Sequence, residues 1–221
     1  MPTRYHQIAR TSLERLAALS DGIFAVAMTL LVLDLRVPAA NALHAQHPVW
    51  AAGGLRSEHV VVHVLAGLAP RLLTYLMSFL TLGVFWTGQQ TQLNTFSRSD
   101  RNLTWIQLLF LLAVTLIPFS TALLSEYITY RAALVAYWLN LLLLGTTLYL
   151  SVQYAARSKL IKAESAAEMR SVAVRRIAGY QVLYAISLLL GVISTYVSIA
   201  LIVLVQLNAA IQPPVRPLDR F

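Results

Sequence analysis

Apolar residues occur along this chain in six long stretches that are separated by short polar segments. The first stretch, residues 16–35, contains about twenty residues, and a helix of that length crosses the hydrocarbon core of a bilayer, which is about 30 Å thick. The other stretches are residues 72–90, 103–124, 132–154, 177–192 and 195–211. The pattern predicts an all-α integral membrane protein in which residues 1–221 form a single bundle of six transmembrane helices.

Three features predict where helices end. Residues 177–211 carry no charge, and one helix of that length would extend about 52 Å, which is longer than a bilayer is thick, so a break is expected between Gly191 and Tyr196. Pro118 should kink or end the third helix, and Pro70 should end a short helix over residues 58–68. The charged connector, residues 157–176, is expected to be helical and solvated.

The positive charges are distributed unevenly along the chain. All but four of the seventeen Lys and Arg residues lie in segments that share one side of the membrane; the exceptions are Arg36, Arg56, Arg71 and Arg131. Since cytoplasmic loops carry the excess of basic residues, both termini are predicted to be cytoplasmic, in a multi-pass protein of a prokaryotic cell membrane. The net charge of +8 thus orients the protein in a lipid bilayer, and no nucleic-acid partner is predicted.

The first helix has two different faces. On a helical wheel, Leu19, Leu30 and Leu33 fall within about 40° of Val26, whereas Asp21 lies about 140° away from it. A carboxylate inside a membrane costs about 2.5 to 3.5 kcal/mol, so Asp21 should face protein or water. From these residues alone, a packed helix with a polar residue binding its neighbours is the simpler interpretation.

Several separated motifs resemble the transmembrane protein 175 family of potassium channels, in its prokaryotic single-repeat form. The first-helix signature of that family is Arg, three residues, then Phe-Ser-Asp, and here it corresponds to Arg15 followed by Leu19-Ser20-Asp21, with Leu19 in place of Phe. The resemblance continues, in order and spacing, through Tyr75–Leu80, Phe85-Trp86, Asp100–Trp105 and Leu116–Thr121. It covers about residues 10–125.

The resemblance implies a homotetramer whose first helices line a central pore for potassium, with no cofactor. The hydrophobic gate would be formed by rings of Val26, Leu30 and Leu33, which close the pore by expelling water. Thr29 would supply a ring of hydroxyl groups for selectivity. Asp34 would attract cations at the outer mouth, although a pair between Asp34 and Arg36 is equally plausible.

The resemblance also implies a structural network of Arg15, Ser20, Asp21, Trp86 and Gln89 that holds the pore helix in place. Gln89 stands where the family has His, and an amide does not titrate, so a pH response based on that His is not expected. The alternative for Trp86 is an interfacial anchor beside solvated glutamines.

The sequence fits other functional classes less well than a channel. No catalytic constellation is present, so an enzyme is not predicted. His59 and His63 are spaced i, i+4 and could bind a metal, but solvated histidines on a surface helix are favoured. A secondary transporter would need an inverted repeat, which the sequence lacks. A proton or sodium leak pathway and a non-conducting structural membrane protein remain alternatives.

Overall fold

The computed structural model describes residues 4–36, 50, 62–162 and 166–211, and within these ranges the side chains of all but residues 4–12 and 166–169. The described chain is helical apart from one isolated antiparallel bridge between Phe96 and Ile161. This confirms the all-α class that the sequence predicted. The helices are α1 (Arg4–Leu31, extended by a 3-10 turn over Val32–Asp34), α2 (Ala69–Thr95), α3 (Arg101–Thr115), α4 (Ile117–Glu126), α5 (Arg131–Arg157), α6 (Ala166–Leu190) and α7 (Thr195–Ile211).

Five helical segments are long and apolar enough to cross a membrane: Leu13–Asp34, Ala69–Thr95, Arg101–Glu126, Arg131–Arg157 and Arg170–Leu190. The sixth predicted span, α7, is a shorter apolar helix of 17 residues. Several membrane-crossing helices are therefore present in the described part of the chain.

Pro70 begins a helix where the sequence suggested that it ends one. Residues 62–67 are helical, Leu68 forms a turn, and α2 starts at Ala69 with Pro70 in its first turn. The first backbone N–H groups of a helix have no intrahelical partner, so proline costs nothing there. For this reason α2 begins before the predicted Leu72. The rest of the predicted 58–68 helix, including His59, lies outside the described residues.

The other two predicted breaks occur where they were expected. Helix α3 ends at Thr115, and Pro118 lies in the first turn of α4. Helix α6 ends at Leu190 and α7 begins at Thr195. A Cβ added to Gly191 would lie 2.4 Å from Leu134 of α5, so glycine allows this turn to approach α5 closely.

The C-terminal part of the charged connector, residues 166–176, is helical as predicted, and it is continuous with the rest of α6. Arg170 Nη2 donates to Gln153 Oε1 at 2.9 Å and Gln181 Nε2 donates to the Leu141 carbonyl at 3.0 Å. These two bonds fix an antiparallel register in which α6 lies alongside α5 from residue 170 onwards. Among the described residues of the connector, residues 158–162 are non-helical.

That non-helical part is held by the end of α2. Helix α5 terminates with Lys159 in the left-handed region, at φ 53°, and the Leu160 N–H donates to the Ala155 carbonyl at 2.9 Å, which is a Schellman motif. The Ser97 N–H then donates to the Leu160 carbonyl at 2.7 Å. The connector is thereby attached to the segment that links α2 and α3.

Apolar packing forms one large cluster and one small cluster. The large cluster contains the aromatic rings of Phe24, Phe85 and Phe110, with the Phe24 and Phe110 centroids 6.0 Å apart. The small cluster lies at the connector end and includes Leu16, Phe96 and Ile161. Both clusters include residues of α1, so apolar contacts hold this helix against the bundle along much of its length.

Candidate functional site

Helix α1 has a buried face and an exposed aliphatic face. The buried residues recur every three or four positions, as one face of a helix does, and none is more than 5% exposed: Leu16, Ser20, Phe24, Ala27 and Leu31. On another face, Val26 is 57% exposed, Leu30 45% and Leu33 63%, and Leu19 continues this line at 45%. The three residues predicted to form the gate thus lie together on the surface of the single chain.

Asp21 accepts two hydrogen bonds from α2. Trp86 Nε1 donates to Asp21 Oδ1 at 2.8 Å, and Gln90 Nε2 donates to the same oxygen at 2.6 Å. The expected pairing of Asp21 with Trp86 is therefore present. Gln90 is an additional partner of Asp21, whereas the alternative interpretation of Trp86 left the neighbouring glutamines solvated. The carboxylate bonds directly to the second helix, so this acidic residue in an apolar helix has polar partners.

Ser20 starts a second set of bonds, which crosses the bundle. Its hydroxyl donates to Gln89 Oε1. Gln89 Nε2 then donates to Gln107 Oε1 at 2.8 Å, and Gln107 Nε2 donates to Ser151 Oγ at 2.8 Å. All four side chains are at most 1% exposed. We call Ser20, Gln89, Gln107 and Ser151 the amide cluster; it connects α1, α2, α3 and α5 in series.

Gln89 suits this position because a primary amide donates and accepts at the same time. Its oxygen receives the Ser20 hydroxyl while its nitrogen serves Gln107, a combination that a neutral imidazole also offers through its two nitrogens. Gln107 and Ser151 were not predicted from the sequence. A signal for Gln107 existed, since it is the single amide in the apolar run from Leu103 to Leu116.

Thr29 and Asp34 have intrachain partners. Thr29 Oγ1 donates to the Val26 carbonyl at 2.8 Å on the exposed side of α1. Asp34 Oδ2 accepts from Ser125 Oγ of α4 at 2.5 Å. In the described part of the chain Asp34 forms no ion pair with Arg36, which was the alternative role predicted for this carboxylate. Asp34 bonds to Ser125 instead.

Arg15 does not join the other motif residues. Its side chain is exposed, and among the described residues it makes no hydrogen bond or ion pair with Ser20, Asp21 or Trp86. The structure therefore brings together four of the five residues of the predicted network. His63 is exposed, and no group of three or more metal-ligating side chains occurs among the described residues.

A further group of buried polar residues does not include α1. Thr81 Oγ1 and Tyr137 Oη are 2.8 Å apart, Ser78 Oγ donates to the same Tyr137 oxygen at 3.3 Å, and Thr121 Oγ1 donates to Ser78 Oγ at 2.6 Å. Gln206 of α7 donates to Thr81. We call Ser78, Thr81, Thr121, Tyr137 and Gln206 the tyrosine cluster; it connects α2, α4, α5 and α7.

Asp100 begins the Asp100–Trp105 motif of the family resemblance, and its carboxylate makes two contacts that give the motif a structural role. Its carboxylate caps α3 by accepting the Leu103 N–H at 2.8 Å, and its other oxygen accepts the Tyr154 hydroxyl at 2.6 Å. The cap satisfies a backbone donor that has no intrahelical partner. Tyr154 also accepts from Asn102 Nδ2 at 3.1 Å, so this carboxylate fixes the start of α3 against the end of α5.

A family model described as "Endosomal/lysosomal potassium channel TMEM175" matches residues 15–118. This part of the chain is similar to the TMEM175 family. The match contains Ser20, Asp21, Trp86, Gln89 and Gln107, and it ends before Ser151 and Tyr154, the α5 residues that complete their contacts.

Two bacterial relatives carry the name potassium channel. One from Streptomyces collinus is 37% identical over 114 residues, which is 52% of this chain and 48% of the relative. One from Chamaesiphon minutus is 38% identical over 122 residues, which is 55% of this chain and 54% of the relative. The matched part thus spans about half the length of these two relatives.

The structural comparison extends further along the chain. The crystal structure of a lysosomal potassium-selective channel TMEM175 homolog from Chamaesiphon minutus matches with a TM-score of 0.75 at 25% sequence identity, covering 91% of this chain and 98% of that one. The second half of the chain, which the family model does not reach, therefore shares the TMEM175 arrangement of helices.

Proposed function

We propose that four copies of this chain form a potassium-permeable cation channel whose pore is lined by the exposed aliphatic face of α1. The structural likeness to a potassium-selective TMEM175 homolog, over nearly the whole of both chains, carries the proposal. The names of the two bacterial relatives agree with it. The activity is ion conduction and not catalysis, and it uses no cofactor, since potassium is the permeant ion.

The gate is proposed to be Val26, Leu30 and Leu33. These side chains are between 45% and 63% exposed in one chain. In a tetramer, the four copies of each residue would form a ring of aliphatic side chains around the central axis. Water leaves a narrow apolar neck, and an ion cannot pass without its hydration shell. Small widening of the neck would rewet it and open the pore.

Polar groups at two levels would favour cations. The Thr29 hydroxyl donates to a backbone carbonyl, so its oxygen lone pairs remain directed outward from α1 for an ion that has lost part of its water shell. Asp34, which Ser125 holds at the end of α1, would add negative charge near the outer mouth.

We also propose that both termini lie on the cytoplasmic side of a cell membrane. The distribution of basic residues along the chain supports this orientation.

The flanks of the exposed face suit helix association. A groove of about 420 Å³ is lined by Ala18, Leu19, Gly22, Val26 and Thr115 among others. Gly22 has no neighbouring atom within 4 Å of an added Cβ. Small residues allow helices in membranes to approach closely, so this flank of α1 is suited to receive the α1 of a second copy.

The channel is tested by measuring cation flux into liposomes under potassium and sodium gradients, for the parent protein and Leu30→Ser. A serine hydroxyl in the neck should hold water, so Leu30→Ser is expected to raise the potassium flux several-fold. The matched control is Leu139→Ser on α5, where a leucine of similar exposure, 51%, lies on a helix outside the proposed pore.

Equal flux from the parent protein, Leu30→Ser and Leu139→Ser would remove Leu30 from the pore. A parent protein that conducts sodium or protons as well as potassium would establish a leak pathway instead of a selective channel. If the folded protein conducts ions but has the mass of a single chain in detergent, the proposed tetramer is wrong.

A further inference from the structure

Arg176 lies within the membrane-crossing part of α6, six residues or about 9 Å from its start at Arg170. The hydrogen bonds from Arg170 to Gln153 and from Gln181 to Leu141 fix the register and place Arg176 level with about Thr147 of α5. That level is roughly 15 Å from the Arg157 end of α5 at 1.5 Å per residue. A guanidinium at this depth is expensive in a membrane, and such residues pair with protein groups or face a polar cavity or ligand.

A cavity of about 210 Å³ lies beside Arg176, between α2, α5 and α6. It extends along α6 from Val172 to Tyr184, which corresponds to about 18 Å of helix. Its walls are mainly apolar, through residues such as Phe85, Leu148 and Ile177. The Arg176 guanidinium lies 6.0 Å from the Tyr180 ring centroid, and no carboxylate of the described residues forms an ion pair with it.

Two glutamines that line the same cavity each have an unused acceptor. Gln92 Nε2 donates to the Leu148 carbonyl at 3.4 Å and Gln181 Nε2 donates to the Leu141 carbonyl at 3.0 Å. The amide nitrogens are therefore occupied by α5. The buried Oε1 atoms of both residues have no hydrogen-bond partner, and Gln92 is only 4% exposed. Buried acceptors of this kind are normally satisfied.

The wall formed by Gln181 depends on Gly145. A Cβ at residue 145 would lie 1.6 Å from Gln181 Nε2, so any larger residue would displace this amide. The amide packs where only glycine leaves room, so Gly145 fixes the position of the Gln181 side chain beside the cavity.

We propose that this cavity binds one phospholipid with an anionic phosphate and a hydroxylated headgroup, such as phosphatidylglycerol. The phosphate complements Arg176, the headgroup hydroxyls donate to the Oε1 atoms of Gln92 and Gln181, and an acyl chain lies along the apolar wall. Phosphatidylcholine carries no donor for the glutamine oxygens. Phosphatidylethanolamine carries donors but no net negative charge to balance the arginine.

The site does not rest on the proposed channel, because no residue of the exposed α1 face lines it. The first experiment uses the parent protein in detergent and measures the unfolding midpoint with added phosphatidylglycerol, phosphatidylethanolamine, phosphatidylcholine or glycerol phosphate. A ligand that binds only the folded state raises the midpoint. We expect the largest rise, of roughly 3 to 6 °C at saturating lipid, with phosphatidylglycerol.

Equal rises with phosphatidylglycerol and phosphatidylcholine would overturn the proposal, because neither the charge nor the headgroup donors would then matter. An equal rise with glycerol phosphate would overturn the assignment to a lipid and indicate a soluble anion. These comparisons need no variant, so they hold even if a substitution in the cavity prevents folding.

Variants then locate the site. Arg176→Gln should weaken phosphatidylglycerol binding about tenfold, as expected for loss of a charge-assisted contact, and Gln181→Met should weaken it by a smaller factor while leaving phosphatidylcholine binding unchanged. Arg170→Gln is the matched control, since it removes the same charge from α6 at a residue that lies outside the cavity and contacts Gln153. Equal weakening by Arg170→Gln and Arg176→Gln would show nonspecific attraction and overturn the site.

Discussion

The amide cluster and the tyrosine cluster are both buried and each joins four helices, but only the amide cluster includes α1. In the amide cluster Ser20, Gln89, Gln107 and Ser151 bond one after another, so each link depends on a single hydrogen bond. The tyrosine cluster is also a series, in which Thr121, Ser78, Tyr137, Thr81 and Gln206 bond one after another. Loss of one residue should therefore break either cluster, and the consequence depends on which helices that cluster joins.

The two clusters also differ in which helices they hold. Only the amide cluster includes α1, the helix proposed to line the pore, and the Asp21 bonds to Trp86 and Gln90 lie beside it. The tyrosine cluster fixes α2, α4, α5 and α7 to one another. The difference suggests a division of labour in which one cluster positions the pore helix and the other stabilises the surrounding bundle.

The largest effect is expected from Gln107→Leu. This change removes two interhelical hydrogen bonds, each worth about 0.6 to 1.7 kcal/mol in a membrane protein, so the free energy of unfolding should fall by about 1 to 3 kcal/mol. Because Gln89 then loses its support, α1 should also shift and alter the potassium flux. Denaturation in detergent and liposome flux measure the two effects. Unchanged stability and flux would show that the amide cluster does not hold α1.

A smaller effect is expected from Tyr137→Phe. The ring stays packed and only the hydroxyl is lost, while Ser78 keeps Thr121 and Thr81 keeps Gln206 as partners. We expect a loss of about 1 kcal/mol in the free energy of unfolding. The potassium flux of the folded protein should be unchanged, since α1 is not a member of this cluster. A flux change as large as that of Gln107→Leu would contradict the proposed division of labour.

The smallest effect is expected from Trp86→Phe. Asp21 loses the indole donor but keeps Gln90 at 2.6 Å, so the free energy of unfolding should decrease by about 0.6 kcal/mol, the mean value for one interhelical bond. Trp105→Phe on α3 serves as control, because Trp105 is 62% exposed and shares the same change of ring. A loss for Trp86→Phe that matches Gln107→Leu would make Asp21, and not the amide cluster, the main anchor of α1.

The sequence predicted the members of the site on α1 and α2 better than those on later helices. Asp21 could be recognised because a carboxylate in an apolar helix needs a partner, and Trp86 and Gln89 were placed beside it by the family resemblance. Ser151 and Tyr154 gave no such signal, since a serine or tyrosine is ordinary in an apolar helix. Their roles depend on α5 lying against α3, which no local pattern specifies.

The sequence by itself determined the apolar helices, the breaks at Pro118 and Gly191, and the restriction that Asp21 cannot face lipid. Each of these follows from local backbone geometry or from transfer of a side chain into a membrane, so neighbouring residues are sufficient to predict it. The tertiary structure alone decided that Gln107 meets Ser151 and that Gln92, Arg176 and Gln181 surround one cavity. These contacts join residues on different helices, and they depend on how the helices pack against one another.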